Sequence, residues 1–382
     1  MNEHILRLAR EHAPCYLYFY EALAAQATAL RDAFPGFGVL FSVKANPFPP
    51  VVRALASLGI GADAASPNEV LLASSCGMKP EDIYFSAAGK SRKALETAWD
   101  RCHIIADSIG EVVRIGQLAA EKNRPCAVGI RVHPAFDMDG GAGGPSKFGI
   151  CEEELPALRQ AIASLPVTVC GLHVHLRSQN LDNGVLARYY ESCFALALRV
   201  RDTLDCRLEY INFGGGVGIA YHGGQQPLNM AALRQAAERV AAENRRTLNA
   251  RLLVESGRFL TAQAGTYFLP VVDLPGHDLC GAGELPERLP KAGAGGHAAS
   301  GGGRRPADAP RAAVHRRERL PHHRAGRPGA DGDGGAGGQP VLRHGRALPR
   351  LHRPGTGGGR PGGGGQHRGV CPHAVAAAVL QP

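Results

Sequence analysis

The chain has 382 residues, a length that suits two domains, with 43 Lys and Arg against 34 Asp and Glu, a net charge of +9, and ten Cys. No run approaches the ~20 apolar residues of a membrane span, and Glu3, Arg7, Arg10 and Glu11 stand where a signal peptide needs an apolar stretch. The Cys form neither a CxxC pair nor a zinc-finger spacing, so the expectation is a cytoplasmic protein with reduced thiols.

In chain order, the first β-rich run is CYLYFY (15–20), followed by a lead-in helix that ends near residue 35. From Gly38 to Gly265, short apolar runs alternate with amphipathic stretches. The runs are VLFSVKAN (39–46), GADAAS (61–66), IYFSAA (83–88), HIIADS (103–108), CAVGIRV (126–132), VCGLHVHL (169–176), LEYINFGG (208–215) and LLVES (252–256). Helical patterns such as EVVRIGQLAAEK and AALRQAAERVAAEN fill the gaps. Strands alternating with helices imply a parallel sheet. Eight such units imply a (β/α)8 TIM barrel over residues 36–265. A doubly wound sheet is the alternative, but it more often has fewer strands. The run TYFLPVVD (266–273) pairs in character with CYLYFY, and the two predict a second β-domain that the chain leaves and re-enters.

After Asp273 that signal stops. Residues 1–273 carry 27 basic and 27 acidic side chains, whereas residues 274–382 carry 16 and 7. The later segment holds 26 of the 50 Gly and 13 of the 27 Pro, with no Phe, Tyr, Trp, Ile, Met or Asn. Such a composition cannot bury enough apolar surface to offset chain entropy, so the second domain is expected to be incomplete and the tail disordered. Two readings are open: a Gly/Arg arm for nucleic acid, or GC-rich codons read out of frame. Nucleic-acid arms interleave aromatics and this tail has none, which favours the second.

In a TIM barrel the chemistry belongs at the C-terminal strand ends. Those ends hold Lys44 and Asn46, Asp63 and Ser66, Asp107, Arg131, His173 and His175 with Ser178, Gly214–Gly216, and Glu255 with Gly257 and Arg258. Lys44 ends an apolar strand, where desolvation favours a Schiff-base former; alone, a lysine emerging into solvent explains it better. Phe213-Gly214-Gly215-Gly216-Val217-Gly218 is not a GxGxxG fingerprint. It suits either an anion held on backbone N–H groups or a plain tight turn. His173 and His175 share a strand face. The other strand ends add no third His, so no metal site is expected; His173 reads as a core residue and His175 as the functional one.

Together these segments carry a resemblance. The motifs FSVKANP, GADAASPNEV, RVHP, SKFGI, GLHVHLRSQ, INFGGGVG and ESGRFLTAQAG resemble, in order, the fold-type III pyridoxal 5′-phosphate (PLP) decarboxylases of the ornithine, diaminopimelate and arginine group. The resemblance implies an alanine racemase-like barrel with PLP as cofactor. It implies that Lys44 carries PLP as a Schiff base, that His175 stacks on its ring, and that Glu255 pairs with its ring nitrogen. Ser178, Gly214, Gly215, Gly216, Gly257 and Arg258 would hold the phosphate, with Asp63, Glu69 and Arg131 in support. The implied activity is decarboxylation of a basic or diamino acid, diaminopimelate by default, in a homodimer without membrane or nucleic-acid partners. Alternatives are a siderophore-pathway decarboxylase and a non-catalytic PLP-binding barrel. Arg177 stands where the family has Gly, Ser256 where it has Pro, and FDMDGGAGGP departs from the diaminopimelate pattern. The Cys-then-Asp segment that the family's β-domain lends to the partner subunit is missing after residue 273, since Cys280 and Cys371 match nothing, which implies a poor catalyst.

Overall fold

A computed structural model describes residues 3–270. Eleven strands run through this region: β1 (Cys15–Tyr18), β2 (Phe37–Ser42), β3 (Gly61–Ala64), β4 (Ile83–Phe85), β5 (His103–Ala106), β6 (Cys126–His133), β7 (Ile150–Cys151), β8 (Val167–His173), β9 (Tyr210–Asn212), β10 (Arg251–Ser256) and β11 (Gly265–Phe268). Eight of them, β2–β6 and β8–β10, pair in parallel, and β10 pairs back onto β2 to close the barrel. Each of the eight runs read between Gly38 and Gly265 is therefore a barrel strand.

Seven helices connect successive strands, and their starts are written locally. Ser66, Ser91, Ser108, Asp182 and Asn229 each accept a hydrogen bond from a first-turn backbone N–H. The eighth place in the ring belongs to the helix Tyr20–Ala33, which precedes β2 and packs against the helices Pro49–Ser57 and Met230–Thr247. Leu23, Ala27, Leu30 and Ala33 form its buried stripe. Only a four-residue turn of helix, Arg258–Thr261, follows β10.

The barrel interior has two layers of opposite character. Leu40, Tyr84, Ile105, Tyr210 and Leu253 fill the lower one, together with Cys170. Gly129 and Gly171 leave room there for Tyr210: a Cβ on either would lie 2.0 and 2.1 Å from its phenol atoms. Two residues further along each strand the same face turns polar, giving Ser42, Asp63, Ser86, Asp107, Arg131, His173, Asn212 and Glu255. All but Arg131 are buried. Burial of so many polar groups is costly unless they are used.

The Tyr210 hydroxyl is buried with no hydrogen-bond partner among the described residues. Tyr210→Phe is therefore expected to raise stability by about 1 kcal/mol, read as a higher thermal midpoint. A lower midpoint would reveal a partner for the hydroxyl.

β1 and β11 form a separate antiparallel pair, with Cys15 opposite Phe268 and Tyr18 opposite Gly265. Tyr16 and Tyr267 stack across it with centroids 4.4 Å apart. The two β-rich runs that flank the barrel thus meet. The remainder of TYFLPVVD and the segment 274–382, with Cys280 and Cys371, lie outside the described residues.

Candidate active site

The upper layer centres on Glu255, 3% exposed. Asn212 Nδ2 donates to its Oε1 at 2.8 Å, and Asn212 Oδ1 accepts from Gly214 N–H at 2.9 Å. One side chain thus fixes both the carboxylate and the start of the glycine loop. Oε2 takes no hydrogen bond from the described residues; His175 Nδ1 lies 4.0 Å from it. His173 Nε2 lies 3.1 Å from Glu255 Oε1 but is too poorly aligned for a hydrogen bond. Burial, reinforced by the charge of Arg131, pushes the His173 pKa down to about 3. An enclosed imidazole whose charged form is disfavoured agrees with the reading of His173 as a core residue.

Lys44 sits in a single 3-10 turn, Val43–Ala45, directly after β2. Its side chain is 58% exposed, so the amine is open at the mouth and not enclosed as its place behind an apolar strand suggests. Its partner is the fully buried Asp63, with Nζ 3.7 Å from Oδ2. Ser86 donates to Asp63 Oδ1, and Oδ2 has no hydrogen-bond donor. Burial raises the Asp63 pKa, the negative charge of Glu255 raises it further, and Lys44 opposes both. Glu69 does not join this group. It accepts from Ala65 N–H and donates its own N–H to Ser66 Oγ, closing the turn that follows Asp63.

The loops after β8 and β9 meet at His175. Gly215 N–H donates to His175 Nδ1 at 3.0 Å, so the ring is neutral with its proton on Nε2, 3.5 Å from Ser178 Oγ. Burial lowers its pKa, and the nearby Glu255 only partly opposes this. The three loop glycines do not all offer N–H groups to an anion. Gly214 and Gly215 are committed to Asn212 and His175, and Gly216 N–H alone takes no acceptor among the described residues. Gly214 adopts φ +65°, and a Cβ there would strike Val174 O at 2.3 Å. A Cβ on Gly257 would strike Ala45 at 2.8 Å, which brings the turn after β10 against the Lys44 turn. Arg258 is exposed and makes no ion pair with a described residue.

Two departures from the motifs have structural accounts. Arg177 forms a two-point pair with Asp139, at 2.8 and 3.0 Å, while the adjacent Met138 is buried against the Gly216 loop. The unusual Arg and the unusual FDMDGGAGGP segment are thus two ends of one contact. Ser256, in the place of Pro, leaves its hydroxyl buried without a partner among the described residues.

Arg131 completes the mouth. It donates to the His175 carbonyl at 3.2 Å, lies 3.4 Å from Asp107 Oδ1, and stacks on Phe148 at 4.9 Å. Beneath it, Glu111 Oε2 accepts from Asp107 N–H at 2.8 Å and meets Lys90 Nζ at 3.0 Å. Sequence reasoning assigned no role to Asn212, Ser86, Lys90 or Glu111. A usable signal was present for the first two: each is polar and two residues past an apolar inward position.

The closed β/α barrel thus gathers at its mouth a lysine, a buried carboxylate with one oxygen left over, and a glycine loop. The chain belongs to the pyridoxal-dependent decarboxylases, whose pyridoxal-binding domain matches residues 20–262, and PLP is the cofactor of that domain. It is 31% identical over 274 residues to the L-glutamyl-[BtrI acyl-carrier protein] decarboxylase of Niallia circulans, covering 69% of this chain and 64% of the relative. It is also 31% identical over 284 residues to the diaminopimelate decarboxylase of Zymomonas mobilis, covering 69% and 65%. The chain therefore spans less than two thirds of the length of these relatives. Its fold matches the crystal structure of diaminopimelate decarboxylase from Helicobacter pylori at a TM-score of 0.61, with 24% identity over 68% of each chain.

The residues fit PLP. Lys44 presents an accessible amine, Glu255 Oε2 lacks a donor among the described residues, and Gly214 and Gly257 let the loops around the mouth pack closer than a Cβ would allow. Among the described residues, no helix is long and apolar enough to cross a membrane.

Proposed function

We propose that this barrel provides one half of a decarboxylase site for a basic or diamino acid, with diaminopimelate as the default substrate, and that the chain acts as a homodimer with no nucleic-acid or membrane partner. Glu255 supports this most: a carboxylate buried inside the barrel, fixed through one oxygen by Asn212 and offering the other to the mouth. When bound, PLP supplies an electron sink for the charge left on the α-carbon as carbon dioxide departs. Glu255 Oε2 holds a proton on an aromatic nitrogen set against it, since a buried carboxylate favours a charge-assisted bond to its free oxygen. Lys44 Nζ offers its amine to an aldehyde, and Asp63 at 3.7 Å keeps that amine in place. His175 presents a neutral ring, oriented by Gly215 N–H and, through its carbonyl, by Arg131. Arg258, Ser178 and Gly216 N–H bind the phosphate, with Gly214 and Gly215 shaping the loop and Gly257 the opposite wall.

Carbon dioxide release from diaminopimelate, ornithine, lysine and arginine tests this reading. Glu255→Gln is expected to keep PLP bound and to slow release on the order of a hundredfold or more. Unchanged release would remove Glu255 from the proton's path, and no release from any substrate by the unsubstituted chain would leave a PLP-binding barrel without this activity.

A further inference from the structure

We infer that Gln179 is a positioning residue that locks the two halves of the phosphate cup together. The inference rests on the PLP reading of the same site. Ser178, after β8, and Gly216, after β9, belong to separate loops, and a phosphate gripped by both needs them held at a fixed separation.

Gln179 supplies that lock. Its side-chain amide spans the gap and engages both backbone groups of one residue: Nε2 donates to Ile219 O at 2.5 Å, and Oε1 accepts from Ile219 N–H at 3.1 Å. Its neighbour extends the seam, with Asn180 N–H donating to Gly216 O at 2.8 Å and accepting at its own carbonyl from Gly218 N–H at 2.9 Å. Asn180 and Val217 thereby form a parallel bridge between the loops. A Cβ on Gly218 would lie 2.5 Å from Asn180 O, so the seam needs glycine opposite it.

The backbone at Gln179 gives a second, independent sign. Its φ is +62°, the left-handed region that a non-glycine residue enters at a cost. A strained backbone persists where the surroundings over-determine it. Here the two-point amide clamp does so, and the turn aims Ser178 Oγ at His175 Nε2. Gln179 acts on the phosphate only through these neighbours.

The test uses the full chain with Gln179→Gly, which relieves the strain and removes the clamp, and Gln179→Ala, which removes the clamp alone. PLP affinity is read by fluorescence titration. Pyridoxal, which has the same ring and aldehyde without the phosphate, is compared by the extent of borohydride-trapped label on Lys44. Both variants are expected to bind PLP about tenfold more weakly, the loss of two half-buried hydrogen bonds, with pyridoxal labelling unchanged and the melting temperature of the glycine variant preserved. Equal PLP affinity in all three proteins would overturn the inference, as would parallel losses of PLP and pyridoxal, which mark general loosening of the site. Failure of the unsubstituted chain to bind PLP would overturn the cofactor reading first and this inference with it.

Discussion

Borohydride reduction of the chain equilibrated with PLP is expected to fix the cofactor on the peptide that contains Lys44, and Lys44→Ala to abolish that label. Geometry distinguishes this lysine from the others near the barrel mouth. Its amine is accessible, stands beside a buried carboxylate, and sits on the turn packed against Gly257. Lys90 has a fully buried amine, pinned by Glu111 and by the carbonyls of Ala87 and Ile105, so no aldehyde reaches it. Lys147 lies over the Phe148 ring in the loop between β6 and β7, with no ion pair to a described residue. Peptide mapping decides among them, and a dominant label on Lys90 or Lys147 would overturn the assignment. A Lys44→Ala chain that retains its melting temperature would show that the loss is chemical and not structural.

The second large effect concerns stability. Lys90 and Glu111 form an ion pair with side chains 0% and 1% exposed, and burial pulls the lysine pKa down while Glu111 holds it up. Such a pair contributes little net stability compared with apolar side chains of the same size, but removing one partner strands the other charge. Lys90→Met or Glu111→Leu alone is expected to cost about 3–5 kcal/mol, and the double substitution to recover most of it. Denaturant unfolding of the three variants measures this; additive losses would show that the two residues act separately. Arg92 and Glu121, an exposed two-point pair, are expected to be replaceable by alanine at a cost below about 1 kcal/mol. The buried pair also carries consequences for the site. Glu111 fixes the Asp107 backbone, Asp107 faces Arg131, and Arg131 holds the His175 carbonyl. Single variants of the pair should therefore weaken PLP binding in addition to lowering stability.

The order of strands and helices was open to reading from the sequence, because burial imposes a local period on the chain. A parallel strand covered on both faces is a short apolar run, and an outer helix shows a stripe such as Leu23, Ala27, Leu30 and Ala33. The candidate residues were legible for a related reason: Lys44, His175, Glu255 and the glycine loop each sit at or just past the C-terminal end of a strand, where a barrel puts its chemistry. Their resemblance to a known set of motifs then implied roles that composition alone does not. What no local pattern carries is which side chain meets which across the barrel. Asn212 and Glu255 are 43 residues apart, Gln179 and Ile219 are 40 apart, and Lys90 and Glu111 are 21 apart. These pairs exist only once strand register is set and neighbouring loops are brought to the same mouth. The charge states were likewise decided by the tertiary structure. His173 and His175 are chemically identical in the sequence. Burial beside Arg131 keeps the first neutral, and the Gly215 N–H fixes the tautomer of the second. Desolvation and hydrogen-bond direction are properties of the closed barrel, because only closure removes water from its upper layer and leaves those eight polar side chains to pair with one another or with what the barrel binds.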